Sequence, residues 1–429
     1  MTATASLTPY LNPPDAHRAR AVIMSDDAGE VQVIAQESAL VNLESLSKAT
    51  TRQLRPLPYD VGAPTAAIPG HYDLPVIVDQ ALTQARELAL ATIEPGGYVR
   101  ARGEDLLSGH ADTRVVAFTD PLGSEPTTAS KAQDTQQIHS AIGEFTTLRI
   151  QERLDQTLHI PPLPEAARKI VALHADPNYE LKDLVAIIET DPSMAARIMG
   201  WANSAFYHVD PPARSIDDAV MRVLGFDTVM SMALGLALGQ TLRLPEDQVR
   251  GLPPYWLDAV FTAATTEALA RRMPADLRPN TGLCYLAGLL ANFGTLVLGH
   301  VFPPHYQKIC KLQEANRHLP HTYIDQYVLK LPREVLATTL LELWGVPQEA
   351  VDAIRYQYVP DYHGSNATYV QLLHLARQAL GAQGITDYPP VALEDDDIEN
   401  LGLTGTALSS VLRDINDSRE ELDSFAAAL

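Results

Sequence analysis

The chain has 429 residues, which at roughly 100–200 residues per domain indicates two or three domains. Hydrophobic residues make up 46% of the sequence, enough to bury globular cores. The net charge of −21 predicts an acidic surface that repels the phosphates of nucleic acids and of anionic lipids. Neither a nucleic acid nor a membrane is therefore expected as the primary partner.

The cysteines and the apolar pattern indicate the compartment. Cys284 and Cys310 both lie in apolar, helical-looking stretches, which is not a disulfide framework and fits a reducing environment. The start of the chain lacks the charged segment and apolar core of a signal peptide. The apolar run 230–239 is too short to span a bilayer. We therefore expect a cytoplasmic protein.

The N-terminal part, to about residue 122, has the alternation of short apolar runs and turns that is typical of a mixed α/β domain. A helix is predicted at 38–48, where Leu40, Leu43 and Leu46 share one face. The predicted strands are 21–24, 30–34, 74–78, 87–93 and 98–102. Residues 123–137 are small and polar without apolar periodicity, which predicts a linker.

From residue 138 onward, apolar residues recur with helical spacing. Leu184, Ile187 and Ile188 follow the i, i+3, i+4 pattern of a buried helix face. Asp191 is a suitable N-cap because Pro192 follows it at the first helical position. Further helices are predicted at 230–242, 256–271, 281–298, 303–316, 333–344, 347–356 and 367–380. The sequence therefore predicts an all-helical domain over 138–384.

Residues 385–429 are strongly acidic, with eleven Asp and Glu against two Lys and Arg. One interpretation is a packed helical extension, because the short helical runs 407–412 and 420–427 lie in an acidic context that suits helix N-termini. The other is a disordered acidic tail. In both cases the expected partner is a protein with a basic or apolar face.

Several motifs in the helical part resemble the HDOD family in order and spacing. They are Ile-Pro-Pro-Leu-Pro at 160–164, Ile-Ile-Glu-Thr-Asp-Pro-Ser at 187–193, Trp-Ala-Asn-Ser-Ala-Phe-Tyr at 201–207, Asp-Asp-Ala-Val at 217–220 and Val-Leu-Gly at 223–225. HDOD domains are all-helical relatives of the HD phosphohydrolases, usually fused to sensory or regulatory partners. They are generally regarded as signalling outputs without demonstrated catalysis. The resemblance therefore implies a bacterial signal-transduction protein.

The resemblance also marks the positions where an HD hydrolase holds its metal. The Trp-x-His, His-Asp, later His and His-His positions of the family match Asp258, Ala291-Asn292, Arg333 and Gln357-Tyr358. Alanine offers no lone pair, arginine is a fixed cation, and one carboxylate does not hold a catalytic metal. We therefore expect no metal, no cofactor and no catalysis. The alternative is a residual phosphohydrolase built on Asp258.

These positions predict a degenerate pocket lined by Asp258, Asn292, Arg333 and Gln357. Such a cluster either binds a small ligand, with Arg333 meeting an anionic group, or forms a satisfied buried network. Other conspicuous residues are expected to be structural. They are the scattered histidines, including His318 and His321 in a loop around Pro320, the helix-terminal pair Asn203-Ser204, and the core residues Trp201, Trp256 and Trp344.

The segment 66–79, Ala-Ala-Ile-Pro-Gly-His-Tyr-Asp-Leu-Pro-Val-Ile-Val-Asp, resembles the YbaK-like family of prolyl-tRNA-editing domains. The resemblance implies a pocket at Gly62, Ile68, Pro69 and Gly70, and Arg20 in place of the family's lysine as the catalytic candidate. Arginine keeps the charge but cannot act as an amine. Residues 1–123 carry fifteen acidic against nine basic residues, a poor surface for tRNA. A ligand-sensing or interaction domain is therefore favoured over a deacylase.

Overall fold

The computed structural model of the chain describes residues 8–10, 13–57, 65–94, 96–108, 110–122, 163–176, 178–207, 209–239, 242, 248–359, 362–388, 393 and 395–427. Gly62 and the predicted linker 123–137 lie outside these residues. The chain forms two compact units. Unit 1 comprises Met1–Thr127, Asp247–Gly251 and Gln307–Val328, and unit 2 comprises Thr128–Glu246, Leu252–Tyr306 and Leu329–Leu429. Unit 1 thus includes two segments that lie in sequence within the range expected for the helical domain.

Unit 1 is built on a mixed sheet. Its strands are β1 (Arg18–Asp26), β2 (Gly29–Gln36), β3 (Ala39–Val41), β4 (Arg55–Pro56), β5 (Val76–Asp79), β6 (Leu88–Ala91), β7 (Tyr98–Ala101), β8 (Thr113–Val116) and β9 (Thr119–Pro121). The main sheet has the order β7-β6-β1-β2-β5-β8, with β4 beside β1, and β3 pairs with β9 in a second sheet. β1 and β2 form an antiparallel hairpin, whereas β1–β6, β2–β5 and β5–β8 are parallel. All five predicted strands are present.

The two faces of the main sheet bury different residues because successive side chains of a strand point to opposite sides. Ile34 and Val78 belong to one apolar cluster. Val33 and Ile77 belong to the other. The second cluster also contains Ala315, from the segment Gln307–Val328. The segment therefore contributes to the core of the unit.

The predicted helix at 38–48 is wrong in its first half. Ala39–Val41 is strand β3, and helix α1 begins only at Leu43 and ends at Thr50. Asn42 separates the two elements because its side chain caps the helix, accepting hydrogen bonds from the amides of Glu44 and Ser45. The apolar spacing alone did not reveal this boundary. A four-residue helix, α2 (Asp105–Ser108), is the other α-helix of the N-terminal segment among the described residues.

Unit 2 is helical throughout its described residues. The main helices of the C-terminal part are α3 (Glu165–Ala175), α4 (Leu181–Glu189), α5 (Pro192–Ala202), α6 (Phe226–Gly239), α7 (Tyr255–Arg272), α8 (Thr281–Leu289), α9 (Phe293–Val301), α10 (Pro303–Ala315), α11 (His321–Leu329), α12 (Arg333–Leu343), α13 (Gln348–Tyr356), α14 (Ala367–Gly381), α15 (Asp395–Glu399), α16 (Gly405–Asp417) and α17 (Arg419–Ala427). Of these, most of α10 and α11 belongs to unit 1. The helix predicted at 281–298 is interrupted after Leu289, so it forms two helices.

One stretch among the described residues, Thr281–Val301, is long and apolar enough to cross a membrane, with a mean hydropathy of 1.6. The most apolar part of this stretch is 89% buried within the protein. Core helices of globular proteins can be equally long and apolar. Within the described residues, the stretch 281–301 is thus a longer apolar segment than the run 230–239 that the sequence analysis considered.

The acidic C-terminal segment is part of the packed core of unit 2. Leu408, Val411 and Ile415 of α16 are buried, as is Leu422 of α17. The ring of Phe425 lies 4.8 Å from that of Trp201. Acidic residues of these helices are spread over the outer face, while their apolar residues face inward.

This packing predicts that Leu422→Ala destabilises the protein by about 2–5 kcal/mol, because the leucine is fully buried and its loss leaves a cavity. Leu343→Ala is the matched control, since that leucine is 72% exposed. It should change the free energy of unfolding by less than about 0.5 kcal/mol. Urea denaturation of both variants measures the difference. Equal effects at the two positions would contradict the packing of the C-terminal segment.

Candidate functional site

The positions matched to the HD metal ligands converge inside unit 2 because two of its helices approach closely. Gly288 of α8 lies against α7, and a Cβ at this position would stand 2.5 Å from Cα of Ala263. Only glycine permits this contact. The approach places Asn292, just after α8, on the side of α7 that carries Asp258. Both residues then meet one side chain of α14, Arg377.

The guanidinium of Arg377 occupies the centre of this cluster, which we call the Arg377 cage. Nη1 donates hydrogen bonds to Oδ1 of Asn292 at 2.7 Å and to Oε1 of Gln357 at 3.0 Å. Nη2 donates to Oδ1 of Asp387 and lies 3.9 Å from Oδ2 of Asp258. Arg377 is fully buried, and Gln357 is too. Three of the four predicted pocket residues are therefore joined by a cation that the sequence reasoning missed.

Further contacts fix the cage. The backbone amide of Asp387 donates to Oδ2 of Asp258 at 3.2 Å. The other carboxylate oxygen of Asp258 accepts from Thr262 at 3.1 Å. The ring of Tyr358 lies 5.6 Å from Cζ of Arg377, within range of a cation–π interaction. The cage therefore draws on α7, α14 and three loops.

Burial and charge act against each other in the cage. Burial raises the pKa of Asp258 to about 6, the charge of Arg377 opposes this shift, and the charge of Asp387 adds to it. Burial alone would lower the pKa of Arg377, but Tyr358 and the two carboxylates raise it above its ordinary value. The guanidinium therefore stays charged and holds the two acids together.

These residues do not fit a divalent metal. A hydrolytic metal centre needs several His and carboxylate ligands with an open position for water. Here the position of the family's His is Ala291, whose backbone oxygen accepts a hydrogen bond from Nε2 of Gln357 at 2.9 Å. The space between the carboxylates contains a fixed positive charge, which repels a second cation. No hydrolytic step through a metal is derived from this arrangement.

Arg333, the fourth predicted pocket residue, bonds a side chain of α9. Its Nη1 donates to Oγ1 of Thr295 at 3.2 Å, close to the point where Gly294 packs against the backbone of Arg333. A sequence signal for Arg377 did exist. Arg377 is the one Lys, Arg, Asp or Glu of α14, and it lies between the buried residues Leu373 and Leu380. A buried charge of this kind requires a partner.

The Trp-Ala-Asn-Ser-Ala-Phe-Tyr motif is structural, as predicted. Asn203 is the C-cap of α5, and its side chain exchanges two hydrogen bonds with the backbone of Ala213. Trp201 is buried, and its indole donates to the hydroxyl of Tyr207 at 3.2 Å. Tyr207 in turn donates at 2.7 Å to Glu267, a fully buried carboxylate that is also paired with Arg271. The motif thus contacts the buried carboxylate of an ion pair whose arginine is exposed.

Arg20, the candidate catalytic residue of the N-terminal part, is bound by another side chain of unit 1. Its Nη2 donates to Oδ1 of Asn316 at 3.0 Å and to the backbone oxygen of Ala315 at 3.2 Å. Asn316 is fully buried and also exchanges two hydrogen bonds with the backbone of Val41, at 2.8 and 3.1 Å. Its remaining N–H donates to Leu312 at 2.9 Å. Every hydrogen-bonding position of Asn316 is therefore used.

The histidines near this cluster are only partly as expected. His318 is a packing residue whose Nε2 bonds the backbone oxygen of Glu37 at 2.8 Å. Burial and the charge of Arg20 hold its pKa well below the ordinary value. The loop predicted for His321 is wrong, because this residue begins α11 and Asp325 follows one turn later on the same helix. Proline at position 320 precedes the helix rather than interrupting it.

The predicted N-terminal pocket residues Ile68, Pro69 and Gly70 form a turn. Gly70 has a φ of +78°, which favours glycine. The side-chain amide of Gln32, on β2, donates to the backbone oxygens of Ala66 at 2.7 Å and Ile68 at 3.3 Å. The turn is therefore held against the sheet. Because Gly62 lies outside the described residues, the predicted pocket is only partly described.

The contacts of Asn316 predict a large effect of Asn316→Ala on unit 1. The change leaves both backbone groups of Val41 and one donor of Arg20 without a partner, and each buried unmade bond costs about 1–3 kcal/mol. We expect a loss of at least about 2 kcal/mol, measured as faster hydrogen exchange at the Val41 amide. Asn400→Ala, at an exposed position, is the control. Unchanged exchange at Val41 would contradict this assignment.

The comparisons with known proteins agree with the helical fold. The HDOD domain family matches residues 160–360. A protein from Marinobacter aquaeolei VT8, named as a candidate signal transduction protein, is 36% identical and covers 99% of this chain and 96% of its own, with a TM-score of 0.86. An HDOD domain protein with unknown function from Geobacter sulfurreducens shares the fold at 18% identity, over 63% of this chain and 94% of its own, with a TM-score of 0.51.

A sequence relative from Treponema pallidum (strain Nichols), described as an uncharacterized protein, is 25% identical over 214 residues. The match covers 49% of this chain, and this chain spans 39% of the length of that relative. The HDOD resemblance of the motifs between residues 160 and 225 is thereby confirmed. The chain therefore contains an HDOD domain at residues 160–360.

Proposed function

We propose that the protein is a non-catalytic regulatory protein of bacterial signal transduction, located in the cytoplasm, whose HDOD domain acts through contacts with a protein partner. The observation that carries this proposal is the Arg377 cage. The positions that would hold a metal in an HD hydrolase instead bond a guanidinium, so their oxygens serve structure rather than substrate. The name of the Marinobacter relative points in the same direction.

The expected partner presents a basic or apolar surface. Glu420 and Glu421, at the start of α17, are exposed and lie on a packed element, so they offer fixed negative charge to such a surface. Removal of the whole acidic segment is a poor test, because Asp387 and the buried residues of α16 and α17 belong to the core. Substitution of exposed charges leaves that core intact.

We therefore predict that Glu420→Lys combined with Glu421→Lys weakens capture of the partner from the native cytoplasm several-fold, with only a small decrease in melting temperature, which follows from placing lysines at the N-terminus of α17. Asp27→Lys combined with Glu30→Lys is the matched control, since it makes the same charge change at exposed positions of unit 1.

We also predict that the purified protein does not hydrolyse cyclic dinucleotides in the presence of Mn²⁺. Turnover that disappears in Asp258→Asn would replace this proposal with a residual phosphohydrolase.

For the N-terminal sheet we propose a ligand-sensing or interaction role rather than aminoacyl-tRNA deacylation. The resemblance of 66–79 to editing domains stays a prediction. Against deacylation, Nη2 of Arg20 donates to Asn316 and Ala315, so this nitrogen is not available to a substrate ester. A small-molecule ligand of this domain is compatible with the proposal.

A filter-binding assay with bulk tRNA separates these two roles. We expect no binding at physiological salt, because the acidic surface repels the phosphate backbone. The result should be the same for Arg20→Ala, which serves as the matched variant. Tight tRNA binding, together with deacylation that Arg20→Ala abolishes, would establish the editing function instead.

A further inference from the structure

We infer that Arg377 is a built-in cation that replaces the divalent ion of metal-dependent HD proteins, and that the groups around it form a latent cation site. The site comprises Asp258, Asn292, Gln357 and Asp387, with the guanidinium of Arg377 as its resident occupant. This inference concerns the chemistry of the cage and stands independently of the proposed signalling role.

The geometry is that of a cation site. Four side-chain oxygens, from Asp258, Asn292, Gln357 and Asp387, face one positive group from four separate segments of unit 2. Residues 258 and 387 are 129 positions apart, so only the tertiary fold brings them together. A solvated surface arginine would gain little from such a set, whereas a fully buried one must be satisfied on all sides.

The charges of Asp258 and Asp387 favour binding of a cation. Two carboxylates face one guanidinium, so the cage has more negative than positive formal charge when both acids are ionised. Removal of Arg377 would leave two carboxylate groups and two amide oxygens in a buried space. Oxygen donors of this kind are the ligands preferred by Mg²⁺, Mn²⁺ and Ca²⁺.

A guanidinium resembles a metal ion in bonding several partners at once, as Nη1 does with Asn292 and Gln357. It differs from a metal ion because it is covalently attached to the chain. It cannot be removed by a chelator or exchanged with the medium. The cage is therefore closed at any metal concentration.

The test compares Arg377→Ala with the wild-type chain by thermal unfolding and by direct Mn²⁺ titration, using MnCl₂ and low-millimolar guanidinium chloride as probes. We expect a lower melting temperature for Arg377→Ala, partial recovery with either cation, and Mn²⁺ binding at least about tenfold tighter than in the wild type, a clear difference in affinity. Adding Asp387→Asn to the variant should abolish both the recovery and the extra binding.

Arg271→Ala is the matched control, because it removes another arginine that is paired with a buried carboxylate, Glu267. It offers only one carboxylate, so we expect destabilisation without recovery by Mn²⁺. Equal Mn²⁺ binding by Arg377→Ala and the wild type, or recovery that survives Asp387→Asn, would overturn the inference. Recovery of Arg271→Ala by the same cations would overturn it too, since the effect would then not be specific to the cage.

If Arg377→Ala does not fold, a second variant keeps the inference testable. Arg377→Met combined with Asp258→Asn and Asp387→Asn removes the cation and both charges that need it. It should unfold at a clearly higher temperature than Arg377→Met alone. If the triple variant is no more stable, or also fails to fold, Arg377 does not serve as a counter-charge and the inference is wrong. Hydrolysis of a phosphodiester by the wild type that persists in Asp258→Asn would count against the proposed function alone, whereas hydrolysis that depends on Asp258 would overturn the inference as well.

Discussion

Two carboxylates cannot lie in an apolar core without a counter-charge, and the organisation of unit 2 follows from how this requirement is met. Arg377 pairs with both Asp258 and Asp387 and, through Asn292 and Gln357, holds together elements that are distant in sequence. Removing one partner of such a buried pair costs about 3–5 kcal/mol, more than most single contacts. The segment after α14 is therefore as much a part of the domain as the helices before it.

Unit 1 meets an analogous requirement with a neutral group. The backbone of Val41 and Nη2 of Arg20 both need partners inside unit 1, and the side chain of Asn316 bonds both backbone groups of Val41 and one donor of Arg20. An amide can do this because it carries two donors and an acceptor with two lone pairs. Since Asn316 comes from the segment Gln307–Val328, the sheet domain is complete only when a piece from the middle of the HDOD sequence is present.

The sequence predicted the elements whose signal is local. Short apolar runs bounded by turn signals identify β1, β2 and β5, and helical spacing of apolar residues identifies α7, α12 and α14. It placed Asp258, Asn292 and Gln357 in one cluster only through the family resemblance. The sequence did not predict that Arg377 and Asp387 belong to this cluster. The partners that satisfy these charges lie far away along the chain. The Val41–Asn316 contact, 275 residues apart, left no local pattern either.

A resident guanidinium changes what the HDOD domain can respond to. A metal centre responds to the ion concentration and to the substrate that completes the coordination, whereas a tethered cation is always bound. A signal that reaches such a domain must then act on its surface or through the chain itself. Unit 1 is covalently continuous with unit 2 at Asp247–Gly251 and at both ends of Gln307–Val328, in addition to its N-terminal segment. The segment Gln307–Val328 begins within α10, which follows α9, and α9 begins next to Asn292 of the Arg377 cage. Two consecutive helices of the chain therefore connect the cage to a segment that belongs to the sheet unit.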